Sequence, residues 1–188
     1  MVRWFSSPPL ELRTERLALR EPTLADWPQW AKVREESRDF LTPWEPRWGA
    51  MHLSESGFRE RFLKAGDDSR TFFLFRATDD QLIGGVTISN IRYGVALSAS
   101  FGYWLGKPYT GQGCMTEALQ RLIRYCFDEL YLHRLEAACL PENGPSRRLI
   151  RRLGFREEGL ARKYLKINGV WQDHVLHALL REDPFEDS

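Results

Sequence analysis

The stretch from Ala99 to Leu130 constrains this chain more than any other, because its period changes abruptly at a glycine turn. Ala99 to Leu105 (A-S-F-G-Y-W-L) is apolar and aromatic in the manner of a strand, whereas the residues after Gly113 repeat apolar side chains at helical spacing through Leu130. Between them lie Gly106, Pro108 and Thr110-Gly111-Gln112-Gly113, which must turn sharply. A strand that feeds a helix in this way sets the helix N-terminus, with its unpaired amides and positive dipole end, at the end of a sheet. Gly111 and Gly113 have no Cβ, so consecutive N–H groups can face one concavity of the kind that seats a pyrophosphate. A plain strand-to-helix turn would use the same glycines.

The rest of the chain reads as further strands and helices around this unit. Thr14 to Arg20 (T-E-R-L-A-L-R) alternates apolar with charged residues and predicts a first strand. Thr23 and Asp26 open an amphipathic helix carrying Trp27, Trp30, Ala31 and Val33 and ending near Arg38, and a second helix is expected from Ser54 to Ala65. Between the helices, F-L-T-P-W-E-P-R-W-G holds two prolines that exclude a regular helix. It reads as an ordered loop over a site, or as one that Phe40, Trp44 and Trp48 simply pin to the core. Thr71 to Arg76 and Leu82 to Ser89 form a hairpin across Asp79-Asp80. Arg134 to Leu140 predicts a strand, Pro141 to Gly144 a turn, and Ser146 to Leu153 a short helix stopped by Gly154. Phe155 to Ile167 and Trp171 to Leu180 make a last hairpin through Asn168-Gly169. The class is α+β, a mixed sheet flanked by helices, in one domain over residues 1–188.

Composition narrows the partners. A net charge of +1 argues against direct nucleic-acid binding, and Arg147, Arg148, Arg151 and Arg152 cover two faces of one short helix, as a solvated surface does. Cys114, Cys126 and Cys139 contain no C-x-x-C pair, so neither a disulfide framework nor a zinc site is expected. Met1 to Pro9 lacks an apolar core for a signal peptide and no later segment is apolar enough to span a membrane, which predicts a cytoplasmic protein that binds no membrane. His174 and His177, three apart on a strand, point to opposite faces, and His52 and His133 lie elsewhere, so no metal is expected.

Two familiar phosphate loops do not fit. A Walker loop needs Lys-Ser/Thr where Cys114-Met115 stand, and a dinucleotide fingerprint needs a third glycine where Thr116 stands. Instead L-G-K-P-Y-T-G-Q-G-C-M-T-E-A-L resembles the acetyl-CoA loop and following helix of the GNAT superfamily of acyl-CoA-dependent N-acetyltransferases. The segment L-H-R-L-E-A-A-C-L-P-E-N-G-P-S-R-R-L-I-R-R-L-G-F-R-E-E-G resembles the next strand, the N-x-x-S turn and the L-G-F strand start of that superfamily. Within it the chain is most similar to the RimJ-type ribosomal-protein alanine N-acetyltransferases, through W-E-P at Trp44 to Pro46 and Y-L-K-I-N-G-V-W-Q-D-H from Tyr164 to His174. The resemblance covers nearly the whole chain. It departs at Thr110, where Arg or Gln is frequent, and at Met115, where Gly or Ala is frequent.

The resemblance implies the GNAT fold, with a mixed, mostly antiparallel central sheet of about six to seven strands, helices on both faces, and acetyl-CoA between the fourth and fifth strands. It implies that Thr110, Gly111, Gln112, Gly113, Cys114, Met115 and Thr116 hold the pyrophosphate, and that Tyr103, Trp104 and Leu105 hold the acyl end. Asn143 would contact the pantetheine arm and Ser146 would protonate the leaving thiolate, although both also suit a turn and helix cap. Trp44, Glu45 and Tyr164 would meet the acceptor, with Glu45 or Asp173 as the carboxylate nearest its amine, or as ion-pair partners. An α-amine of pKa ~7.7–8.0 is roughly 10–15% neutral at pH 7, so an N-terminal acceptor asks little of a base. Three functions follow in order: a protein N-terminal acetyltransferase acting for instance on a ribosomal protein, an acetyltransferase for a small amine, and a non-catalytic acyl-CoA-binding module. Each would work as a monomer or homodimer without a metal.

Overall fold

A computed structural model describes residues 10–64, 66 and 68–185. The N-terminal stretch Met1 to Pro9 and the expected helix end at Ala65 lie outside the described residues. In chain order the elements are β1 (Glu11–Arg13), β2 (Leu17–Arg20), α1 (Trp27–Glu36), α2 (Arg38–Leu41), α3 (Glu55–Phe58), β3 (Arg70–Arg76), β4 (Gln81–Arg92), β5 (Ser98–Leu105), α4 (Cys114–Arg124), β6 (Arg134–Cys139), α5 (Gly144–Arg152), β7 (Arg156–Ile167) and β8 (Val170–Leu180). Both α3 and α4 run on into a wider turn, Arg59–Leu63 and Tyr125–Glu129, and in the second of these Leu130 N–H reaches back five residues to Tyr125.

The strands form one sheet of order β1-β2-β3-β4-β5-β6-β8-β7. Every pairing is antiparallel except β5 with β6, which are joined through α4. That parallel pair is short. It runs from Ser98↔Arg134 to Phe101↔Ala137, after which β5 stays with β4 through Gly84↔Leu105 while β6 stays with β8 through Cys139↔Val175. The sheet therefore parts beyond Phe101, and α4 and α5 both begin near this opening.

Burial on both faces explains the strand sequences. On β3, Phe72 and Leu74 enter one core with the α4 residues Ala118, Leu119, Leu122 and Ile123, while Phe73 and Phe75 enter the other with Trp30, Val33 and Phe58. A continuous apolar run is what a strand covered on both sides requires. The α4 side chains recur at one-turn spacing and make a single apolar stripe, so losing one such buried leucine costs about 2–5 kcal/mol.

Three expectations are corrected. The single strand over Thr14 to Arg20 is a hairpin of β1 and β2, because Thr14 closes a turn with its N–H on Leu17 C=O at 2.9 Å and its hydroxyl accepting Leu17 N–H at 3.0 Å. The sheet consequently has eight strands, and the strands expected fourth and fifth are β5 and β6. Asp39 to Leu41, read as loop, lie in α2, and Pro43 follows at the start of a 3-10 turn, Thr42–Trp44, where its missing N–H is tolerated; Glu45 to Gly49 are irregular as expected. Helix α5 starts at Gly144, two residues before the expected Ser146, with Pro145 in its first turn.

Candidate active site

The glycine turn is built as its residues dictate. Gly111 and Gly113 take φ of +74° and +80°, and the first intrahelical bond runs from Glu117 N–H to Gly113 C=O, leaving the amides of Gly113 to Thr116 for a ligand. Side chains stay out of this cradle. Thr110 Oγ1 donates to Lys107 C=O at 2.9 Å, Gln112 Nε2 donates to Pro108 C=O at 2.9 Å, and Cys114 and Met115 are buried in the core. The unusual Met115 is thus a core residue. Arg16, not anticipated, reaches in from the β1–β2 turn: Nη1 donates to Gln112 C=O at 3.0 Å and Nε to Glu117 at 2.6 Å. Partial burial works the other way, yet hydrogen bonds from Thr14 and Arg16 hold the Glu117 carboxyl below its usual value.

At the parting, alternation along β5 sorts the acyl-end candidates. Tyr103 and Leu105 pack on the core beneath α4, whereas Trp104 packs on the face carrying α1 and α3. Gly106 N–H bonds back toward β4 at Ile83 C=O, 2.9 Å, so the Tyr103 and Leu105 amides point to the opposite edge, into the opening. Tyr103 Oη and Ser146 Oγ are 2.6 Å apart, and Ser146 Oγ lies 3.1 Å from Cys139 Sγ. Burial pushes the Tyr103 phenol upward, as does the neighbouring Cys139, and burial raises the Cys139 thiol against the hydrogen bonds from Ser146 and Tyr103. All three groups keep their protons at neutral pH. The cap of α5 falls to Asn143, whose Oδ1 accepts Ser146 N–H at 3.2 Å, so the Ser146 hydroxyl is not spent as a cap.

The W-E-P loop lies on the other side. Glu45 gives both carboxylate oxygens to Arg34, one at 2.7 Å from Nη1 and the other to Nη2, and Glu45 C=O accepts Asn168 N–H at 2.8 Å, tying the loop to the β7–β8 turn. Arg34 is only 3% exposed and lies over the rings of Trp48 and Trp104, each 4.8 Å away. His52 sits between Trp30 and Trp48 and meets Arg61 Nη1 at 2.7 Å. Burial, then the charges of Arg61 and Arg34, lower its pKa to about 4. Trp44 is half-buried, Tyr164 is exposed against the His174 ring, and Asp173 accepts Lys163 N–H at 2.8 Å across a bulge of β7. Among the described residues neither Glu45 nor Asp173 bonds to the Tyr103–Ser146–Cys139 cluster.

Sequence reasoning missed Arg16, Cys139 and Arg34. Only Arg34 left a signal, as a charge on the apolar stripe of Trp30 and Val33. Groups of His, Cys, Asp or Glu suited to a metal are absent among the described residues, and none of their helices is long and apolar enough to cross a membrane.

Comparison with known proteins agrees with this geometry. A family model described as an acetyltransferase (GNAT) domain matches residues 16–156. The [ribosomal protein uS5]-alanine N-acetyltransferase of Escherichia coli is 38% identical over 182 residues, spanning 94% of this chain and 93% of that protein. The crystal structure of ribosomal-protein-S5-alanine acetyltransferase from Vibrio fischeri aligns with a TM-score of 0.85 at 30% identity, covering 95% of this chain and 100% of that one. Mycobacterium smegmatis RimJ in complex with CoA-disulfide aligns with a TM-score of 0.80 at 34% identity, over 93% of this chain and 87% of that one.

Proposed function

The chain belongs to the GNAT acetyltransferase family, and we propose that it carries the acetyl group of acetyl-CoA directly to the N-terminal α-amine of a protein, a ribosomal protein being the foremost candidate. The observation that carries this reading is the alignment of three features along one opening. In this reading the amide cradle at Gly113 to Thr116 takes the pyrophosphate, the Tyr103–Ser146 hydroxyl pair meets the thioester sulfur, and the free edge of Tyr103 and Leu105 meets the acyl carbonyl bonded to that sulfur. Asn143, which caps α5 through Ser146 N–H, contacts the pantetheine arm in the same reading with its remaining amide group.

In this reading the neutral amine attacks the thioester carbon, and the tetrahedral oxyanion takes a hydrogen bond from the amide of Tyr103 or Leu105. On collapse the C–S bond breaks and the thiolate takes the Ser146 proton; Tyr103 holds that hydroxyl in place. The proton shed by the amine passes to water, from which the hydroxyl pair is recharged. Glu45 and Asp173 act mainly by charge and shape, since each already serves a partner. Trp44, Glu45 and Tyr164 flank the acceptor entrance. Three thiols without a disulfide support a cytoplasmic setting.

The test is an acetyl-CoA turnover screen across N-terminal peptides, amino acids and aminoglycosides, read by mass spectrometry. Acetyl on peptide α-amines supports the proposal. Turnover restricted to small amines, or tight acetyl-CoA binding without turnover, overturns it.

A further inference from the structure

The W-E-P loop also borders a cleft of about 290 Å³ lined by Arg38, Thr42, Pro46, Arg47, Trp48 and Asn168. Two arginines line it, and no carboxylate does. Arg38 gives Nε and Nη2 to Glu35 and lies 4.5 Å from the Trp48 ring. Arg47 is exposed and has no hydrogen-bond or ion-pair partner among the described residues; a Cβ added at Gly169 would meet its Cδ at 3.9 Å, so its stem crosses the β7–β8 turn. Contacts in series tie the cleft to β5 on the α1 face, Trp104 to Arg34 at 4.8 Å, Arg34 to Trp48 at 4.8 Å, and Trp48 to Arg38 at 4.5 Å.

We infer that this cleft, on the same loop as Trp44 and Glu45, receives an acidic side chain of the acceptor a few residues in from the acetylated amine. The inference rests on the N-terminal acetyltransferase reading. The Arg47 guanidinium, which has no partner among the described residues, favours a carboxylate over an amide by charge and fork geometry, and Trp48 walls the cleft beside it.

The test uses peptides with an N-terminal alanine, identical except for Glu, Gln or Lys at the fourth position, compared by kcat/KM from CoA release. The wild-type chain should favour Glu over Gln by about five- to tenfold and disfavour Lys, with the preference shrinking as salt rises. Arg47→Glu should reverse the order toward Lys. Because Arg47 is exposed and unpaired, this variant should fold, and an unchanged melting-temperature rise with acetyl-CoA confirms it. Equal rates on all three peptides, or an unreversed order in folded Arg47→Glu, overturn the cleft assignment alone. Failure of every peptide while a small amine is acetylated overturns the N-terminal reading and this inference with it.

Discussion

The hydroxyls of Tyr103 on β5 and Ser146 on α5, the helix that follows β6, stand 2.6 Å apart, beyond the point where β5 and β6 cease to pair. That side-chain contact bridges the opening where the β5–β6 ladder has ended.

Ser146→Ala should lower kcat about 10²-fold while leaving acetyl-CoA affinity nearly unchanged, because the contact gains strength only as the sulfur gains charge. Tyr103→Phe should lower kcat about tenfold, the equivalent of one lost hydrogen bond of ~1–1.5 kcal/mol. Asn143→Ala, by contrast, should cost about 1 kcal/mol of stability as a lost cap. A stability loss in Ser146→Ala without a kcat change would make the hydroxyl structural.

Acetyl-CoA at ~100 times its dissociation constant should stabilise the fold by about 2.7 kcal/mol, read as a rise in melting temperature. Gly113→Val should abolish most of that rise, since φ of +80° strains a β-branched residue and its side chain would meet Arg16 Nη2, 3.3 Å from the added Cβ. Arg16→Ala should weaken the rise in part, by releasing Gln112 C=O and Glu117. A full rise in folded Gly113→Val would remove the cradle from the cofactor site.

Where information was local, the fold could be read in advance. Asn168 and Gly169 carry φ of +45° and +82° and turn the last hairpin as their types demand, and Gly111 and Gly113 do the same for α4. The β1–β2 turn could not be read, because Thr14 is drawn out of a strand partly by Glu117, whose Oε1 lies 2.5 Å from its hydroxyl across a hundred residues of chain. The site divides in the same way. Backbone donors followed from glycines and helix start, but the partners of Ser146, Glu45 and Asp173 are set by tertiary contacts that no spacing encodes.

His52 should make the fold acid-sensitive. Its folded value of about 4 lies below the ordinary ~6.5, so between these two the unfolded chain binds more protons and stability falls as pH drops through the window. Burial leads this shift, with the charges of Arg61 and Arg34 behind it, and the contact at 2.7 Å needs an unprotonated Nε2 to accept from Arg61. Buried His177 is shifted in the same direction and will remain in any variant of His52. Denaturant midpoints measured from pH 4 to 7 should therefore decline more steeply in the wild type than in His52→Gln. Parallel curves would refute the assignment.

The Arg34–Glu45 pair separates a structural role for the W-E-P loop from a chemical one. Arg34 is buried between tryptophans and its charge is balanced by Glu45, so Glu45→Gln leaves a buried cation uncompensated at a cost approaching ~3 kcal/mol. The loop that Glu45 C=O fastens to Asn168 should then loosen, and acceptor kcat/KM should fall while the acetyl-CoA shift persists. Since both Glu45 oxygens are engaged, the acid limb of the kcat/KM profile should survive the substitution. Arg34→Met combined with Glu45→Gln should regain most of the lost stability, because the double change removes the unpaired charge. If Glu45→Gln instead erases the acid limb with no loss of melting temperature, Glu45 takes the acceptor's proton. Asp173→Asn is the comparison for the rival carboxylate, and a larger loss of acceptor kcat/KM there than in Glu45→Gln would move the acceptor side of the reaction to the β7–β8 hairpin.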